Sequence, residues 1–127
     1  MSQTYTGSDV LAAIASASAQ LSERKEEINR LNVFPVPDGD TGTNMSLTLK
    51  SVVDNIAKLP ANAGVAEVRR AITTGALMGA RGNSGVITSQ ILRGLCEGCA
   101  EADEVSTATI DAAFARAVEV AFQAVRK

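Results

Sequence analysis

Between Ser8 and Arg30 the apolar residues Val10, Leu11, Ile14, Ala17, Leu21 and Ile28, with Leu31 just beyond, recur at spacings of three, four and seven. That period predicts an amphipathic helix. Ser8 is the expected N-cap with Asp9 in the first turn, and Lys25 and Arg30 suit the negative end of the helix dipole. A second helix is expected from about Thr43 to Lys58 with Met45, Leu49, Val52, Val53 and Ile56 inward, ended by Pro60, Asn62 and Gly64. The third runs from about Val65 to Met78 with Val65, Val68, Ile72 and Leu77 inward, and a glycine-rich turn from Gly79 to Gly82 follows. The fourth opens near Ser84 and carries Val86, Ile87, Ile91, Leu92 and Leu95 to about Gly98. After a polar, acidic loop from Cys99 to Val105, Ser106 or Thr107 caps a fifth helix whose inward stripe is Ile110, Phe114, Val118, Phe122 and Val125. Alternation of period two is nowhere sustained and no repeat of solenoid length is present. The expected class is all-α, an antiparallel bundle with short loops.

The chain's 127 residues suit one domain with a usable core. Aromatics make up only 3%, and tryptophan and histidine are absent, which favours closely packed helices built from Ala, Val, Ile and Leu. A formal net charge of -2, with no basic cluster, argues against nucleic-acid binding by counterion release. No apolar run approaches the roughly 20 residues of a membrane span, and the N-terminus lacks the pattern of a secretory signal. The expected location is the cytoplasm. Cys96 and Cys99 form a Cys-x-x-Cys, but with no histidine and no second cysteine pair they read as two small apolar residues on a helix, not as a redox or zinc site.

The chemistry concentrates in Asn32-Val33-Phe34-Pro35-Val36-Pro37-Asp38-Gly39-Asp40-Thr41-Gly42-Thr43-Asn44-Met45. Its two prolines pre-shape the backbone, and in an extended segment Asp38 and Asp40 project to one face, where they can converge on a cation. An EF-hand is excluded: its sixth position would be Thr43 where glycine is required, and its twelfth Leu49 where glutamate is required. Two carboxylates suit magnesium, which keeps waters and takes further ligands from phosphates. Thr43 and Asn44 stand at a helix start, where they either cap the helix or contact an anion. Gly79-Ala80-Arg81-Gly82-Asn83-Ser84-Gly85 is a second small-residue turn opening a helix. Lacking the P-loop lysine and a preceding strand, it is neither a P-loop nor a dinucleotide fingerprint. Without histidine no Ser-His or Cys-His pair exists, so the expected chemistry is positional and electrostatic, as phosphoryl transfer allows.

The run from Ile28 to Met45, followed by Ala80-Arg81-Gly82-Asn83-Ser84-Gly85-Val86-Ile87, resembles the N-terminal nucleotide-binding domain of the bacterial fatty acid kinases, the FakA-type subunit. More distantly it is similar to the L subunit of dihydroxyacetone kinase. The resemblance implies a DhaL-type antiparallel α-helical barrel over residues 1–127, holding ATP or ADP with two magnesium ions. It makes Asp38 and Asp40 metal ligands, with the amide of Asn32 a third where the dihydroxyacetone kinase subunit has an aspartate and a loop one residue shorter. It puts Gly42, Thr43, Asn44, Gly82, Asn83 and Ser84 at the phosphates. Thr41 stands where the dihydroxyacetone kinase motif has histidine, which favours the fatty acid kinase branch. There the γ-phosphate passes to the carboxylate of a fatty acid presented by a FakB-like partner, and a carboxylate needs no general base. The family's domain continues with further helices and a Pro-x-Glu-Gly-Thr segment, followed by regions for dimerisation and for the partner. The expectation is therefore a domain cut short at Lys127, inactive in transfer by itself. Two other functions fit the residues less fully: a dihydroxyacetone kinase-type phosphotransferase, and a non-enzymatic helical module whose Pro-Asp-Gly loop shapes a nucleotide- or protein-binding surface.

Overall fold

The computed structural model describes residues 4–31, 39–60, 62–98 and 105–125, with backbone only at 124 and 125. Five helices fill the described residues: α1 (Gly7–Leu31), α2 (Thr41–Ile56), α3 (Val65–Gly79), α4 (Gly82–Gly98) and α5 (Thr107–Val125). Two short strands, β1 (Thr4–Tyr5) and β2 (Val105–Ser106), pair antiparallel with Thr4 opposite Ser106 and Tyr5 opposite Val105. The class is all-α, as the periodicity predicts. The strands have only two residues each, too few to show alternation in sequence.

The cap of α1 differs from the expected Ser8. Thr6 and Asp9 form a reciprocal capping box, with the Thr6 N–H donating to Asp9 Oδ2 at 2.8 Å and the Asp9 N–H donating to Thr6 Oγ1 at 3.2 Å. The helix therefore begins at Gly7. Val10, Leu11, Ile14 and Leu21 pack on the core from one side, while Ala17 and Leu31, expected inward, are exposed.

α2 is the hub, in contact with α1, α3 and α4. Its Leu49, Val52 and Ile56 meet Val68, Ile72 and Ala76 of α3 and Leu92 and Cys96 of α4 in one buried cluster. Each large aliphatic side chain so buried contributes about 1.5 to 3 kcal/mol. Close approach of α2 and α3 depends on Gly75, where a Cβ would lie 2.9 Å from the Val52 Cα. Near the C-terminal end of α3 Gly75, Ala76 and Gly79 are buried, and Leu77, expected inward, is 74% exposed. On α4 Val86 and Ile91, also expected to pack, are exposed.

α5 lies on α4 and presents a different face from the one the sequence predicts. Ala113, Ala117 and Val120 are buried, whereas Phe114, Val118 and Phe122 are 60%, 53% and 59% exposed. The cause is the crossing itself. A Cβ at Gly94 would lie 2.5 Å from the Ala117 Cα, and one at Gly98 would fall on Ala113. Only small residues fit a seam that tight, so the bulky stripe turns outward. Cys96 is buried in the core, as the apolar reading of that residue expects; Cys99 lies outside the described residues. No helix among the described residues is long and apolar enough to cross a membrane.

Candidate functional site at the starts of two helices

Gly39 takes φ 71°, a left-handed conformation that only glycine adopts without strain, and delivers the chain to Asp40. Asp40 is the N-cap residue of α2, and its carbonyl accepts the Asn44 N–H at 2.9 Å. An aspartate in this position ordinarily accepts the second or third amide of its helix through its side chain. Here it makes no such bond. The third amide, that of Thr43, donates instead to Asn29 Oδ1 at 3.0 Å, and Asn29 Nδ2 donates to Thr43 Oγ1 at 2.9 Å. The last turn of α1 thus caps the first turn of α2. Gly42 is buried where a Cβ would strike the Lys25 backbone, so packing against α1 accounts for its missing side chain.

The start of α4 rests on the same turns of α2. Gly82 takes φ 65°, and a Cβ there would lie 2.5 Å from Asn44 Nδ2. Ser84 Oγ donates to the Thr41 carbonyl at 3.1 Å. Beneath them the fully buried Thr48 donates from Oγ1 to the Asn44 carbonyl at 2.8 Å and accepts the Arg81 N–H at 3.3 Å. Thr43, Asn44, Gly82 and Ser84, which lie well apart in sequence, thereby come to one junction, with the exposed Asn83 beside them.

Two helix starts in contact place partial positive charge and backbone donors at one place, a setting that suits a polyphosphate. The Thr43 amide is not among those donors, because Asn29 holds it. Of the residues expected to hold a cation, Asp40 is described; Asp38 and Asn32 lie outside the described residues. Among the described residues no group of three His, Cys, Asp or Glu side chains could hold a metal. One carboxylate beside hydroxyls and an amide fits a hard, oxygen-seeking cation shared with phosphate and does not fit zinc. On α1 the Arg24 guanidinium hydrogen-bonds Glu27 and holds its carboxyl below the usual range, on an exposed surface.

A cavity of about 180 Å³ opens between α1, α3, α4 and α5, lined by Val10, Ile14, Ile72, Leu95 and Ile110 among others. Its accessible lining is apolar, so it offers phosphate nothing.

Asn29 and Thr48 carry no role in the sequence-based assignment, yet they hold the junction together. A faint sign existed for Thr48: it stands four residues after Asn44, the spacing at which a helical threonine hydroxyl bonds back to a carbonyl.

The chain is 42% identical over 118 residues to uncharacterised proteins of Staphylococcus aureus, including those of strains USA300 and MRSA252. Those matches take in 90% of this chain and 21% of each relative, so the chain spans about a fifth of the length of the curated relatives it matches. Residues 35–127 match the DAK2 domain, the dihydroxyacetone kinase-type domain, whose members bind ADP or ATP. With most of its length so matched, and with the helical architecture that goes with it, the chain belongs to the DAK2 domain family.

Proposed function

We propose that this chain is the ATP- and magnesium-binding domain of a kinase that passes the γ-phosphate to the carboxylate of a fatty acid presented by a FakB-like partner protein in the cytoplasm. The observation that carries the nucleotide part is the junction itself, where Ser84 of α4 bonds the first residue of α2 and Gly82 lies under Asn44. The fatty acid part rests on the Asn32 to Met45 motif with Thr41 after Gly-Asp.

On this reading Thr43, Asn44, Gly82, Asn83 and Ser84, with the backbone at Gly42, face the phosphates. Asp38 and Asp40 hold magnesium, and the Asn32 amide is a third, weaker ligand. Bound magnesium neutralises charge on the phosphates as it redistributes during transfer. An acceptor carboxylate oxygen attacks the γ-phosphorus, the bond from that phosphorus to the β,γ-bridging oxygen breaks, and ADP leaves with those electrons. The product is an acyl phosphate. The acceptor is already ionised at neutral pH, so no base need remove a proton, which accords with a chain that has no histidine. The protein's work is alignment and charge stabilisation.

Calorimetric titration with ATP and magnesium tests the reading: binding by the wild type should be lost when Asp38→Ala and Asp40→Ala are combined. Magnesium-dependent affinity that survives in the double variant would sink it. The acceptor is tested separately, by supplying a fatty-acid-loaded partner in one assay and dihydroxyacetone with its own partner subunit in another. Phosphate on the ketone alone would move the assignment to the dihydroxyacetone kinase reaction.

A further inference from the structure

We propose that Asn29 is a positioning residue for nucleotide binding: it caps α2 from outside, in place of Asp40, and so fixes the backbone at the start of that helix. The inference rests on the nucleotide reading above and extends it to a residue on a different helix.

The geometry uses both polar atoms at the end of the Asn29 side chain. Asn29 accepts the Thr43 N–H through Oδ1 and donates through Nδ2 to Thr43 Oγ1, at 3.0 and 2.9 Å, across fourteen residues of sequence. One residue is therefore held at two atoms, which sets the position and orientation of the turn as well as its helicity. The Thr43 hydroxyl accepts in this pair, so its own proton points elsewhere. The Asn29 carbonyl also lies near Gly39, since a Cβ built there would be 3.9 Å from it. Asn29 thus stands beside the backbone on both sides of Asp40. It sits in the last turn of α1, a helix of 25 residues that packs along α2, so the clamp is anchored to a rigid element. With the third amide served by Asn29, the Asp40 side chain has no capping bond to make.

An ordinary helix cap would have the same two bonds, so the test separates capping from positioning. In the intact protein that carries this chain, Asn29→Ala and Asn29→Asp are compared with the wild type in two measurements. The first is amide hydrogen exchange at Thr43 without nucleotide; the second is titration with ATP and magnesium. Asn29→Ala should exchange Thr43 faster and bind magnesium-ATP about tenfold or more weakly, the scale of effect seen when partners that orient metal ligands are removed. Asn29→Asp keeps an acceptor for the amide and a second oxygen for the hydroxyl, and should stay close to wild type in both. Faster exchange with unchanged affinity would make Asn29 only a cap and overturn the inference. So would an Asn29→Asp protein as impaired as Asn29→Ala. Where Asn29→Ala fails to fold, Asn29→Ser, too short to reach Thr43, takes its place in the comparison. A wild-type protein that binds no magnesium-ATP removes the nucleotide reading and this inference with it, an outcome told apart from the others because exchange at Thr43 is read without nucleotide.

Discussion

Thr48 has no exposed surface and makes its hydrogen bonds in two directions, giving its proton to the Asn44 carbonyl and taking one from the Arg81 amide. Replacing it with valine keeps the volume and removes both bonds. The Asn44 carbonyl is still served by its helix, but the Arg81 N–H loses its acceptor. Leaving a half-buried donor unsatisfied costs about 1 to 3 kcal/mol, so Thr48→Val should lower the unfolding free energy measured by urea titration by that amount, while Thr48→Ser keeps most of it. Unchanged urea stability in Thr48→Val would show that the bond to Arg81 contributes nothing. Residue types alone singled out Asp40, Thr43, Asn44, Gly82 and Ser84, because carboxylates, hydroxyls and glycines at helix starts are unusual enough to stand out. Thr48 and Asn29 were not legible in the same way. Their contribution comes from partners 33 and 14 residues distant, and no local pattern records such a pairing.

At the level of elements, the five helices were readable from period and punctuation, and the facing of the last one was not. Hydrophobicity ranks Phe114, Val118 and Phe122 above Ala113 and Ala117, so a stripe drawn by apolar strength picks the wrong side of α5. The deciding term is distance of approach, set by Gly94 and Gly98, one turn apart on α4 and opposite Ala117 and Ala113. Paired small residues at that spacing on two neighbouring helices were the available sign. Gly94→Leu should force the helices apart, destabilise the protein by about 1 to 3 kcal/mol as overpacking does, and speed amide exchange along α5 more than along α3. Phe122→Ala, on the outward face, should shift stability by no more than about 0.5 kcal/mol. The opposite order of effects in thermal melts would show that the stripe, not the seam, holds α5. The caps teach a related point. Ser8 is a good capping residue, but Thr6 wins because Asp9 stands three residues beyond it and completes the reciprocal pair.

For the whole molecule, the all-α class, with no long strand among the described residues, followed directly from composition and period. The ladder between β1 and β2 did not, since two residues carry no periodic signal and an isolated pair this short is marginal in water. It forms because Val105 is buried beside the core and leads straight into α5. The ladder joins Tyr5, just ahead of α1, to Val105, just ahead of α5, so four of the five helices lie between its partners. Apart from it, helices that pack together are mostly close in sequence, α1 with α2, α2 with α3 and α4 with α5. Chain entropy makes distant closures the slow ones. Refolding should therefore show an early phase in which the helices gather and a later one in which the ladder buckles the beginning of the chain to the approach to α5. Deleting residues 1–5 should abolish the late phase in stopped-flow refolding followed by pulsed exchange, and leave the early one at its original rate. A late phase that survives the deletion would place the slow event elsewhere in the molecule.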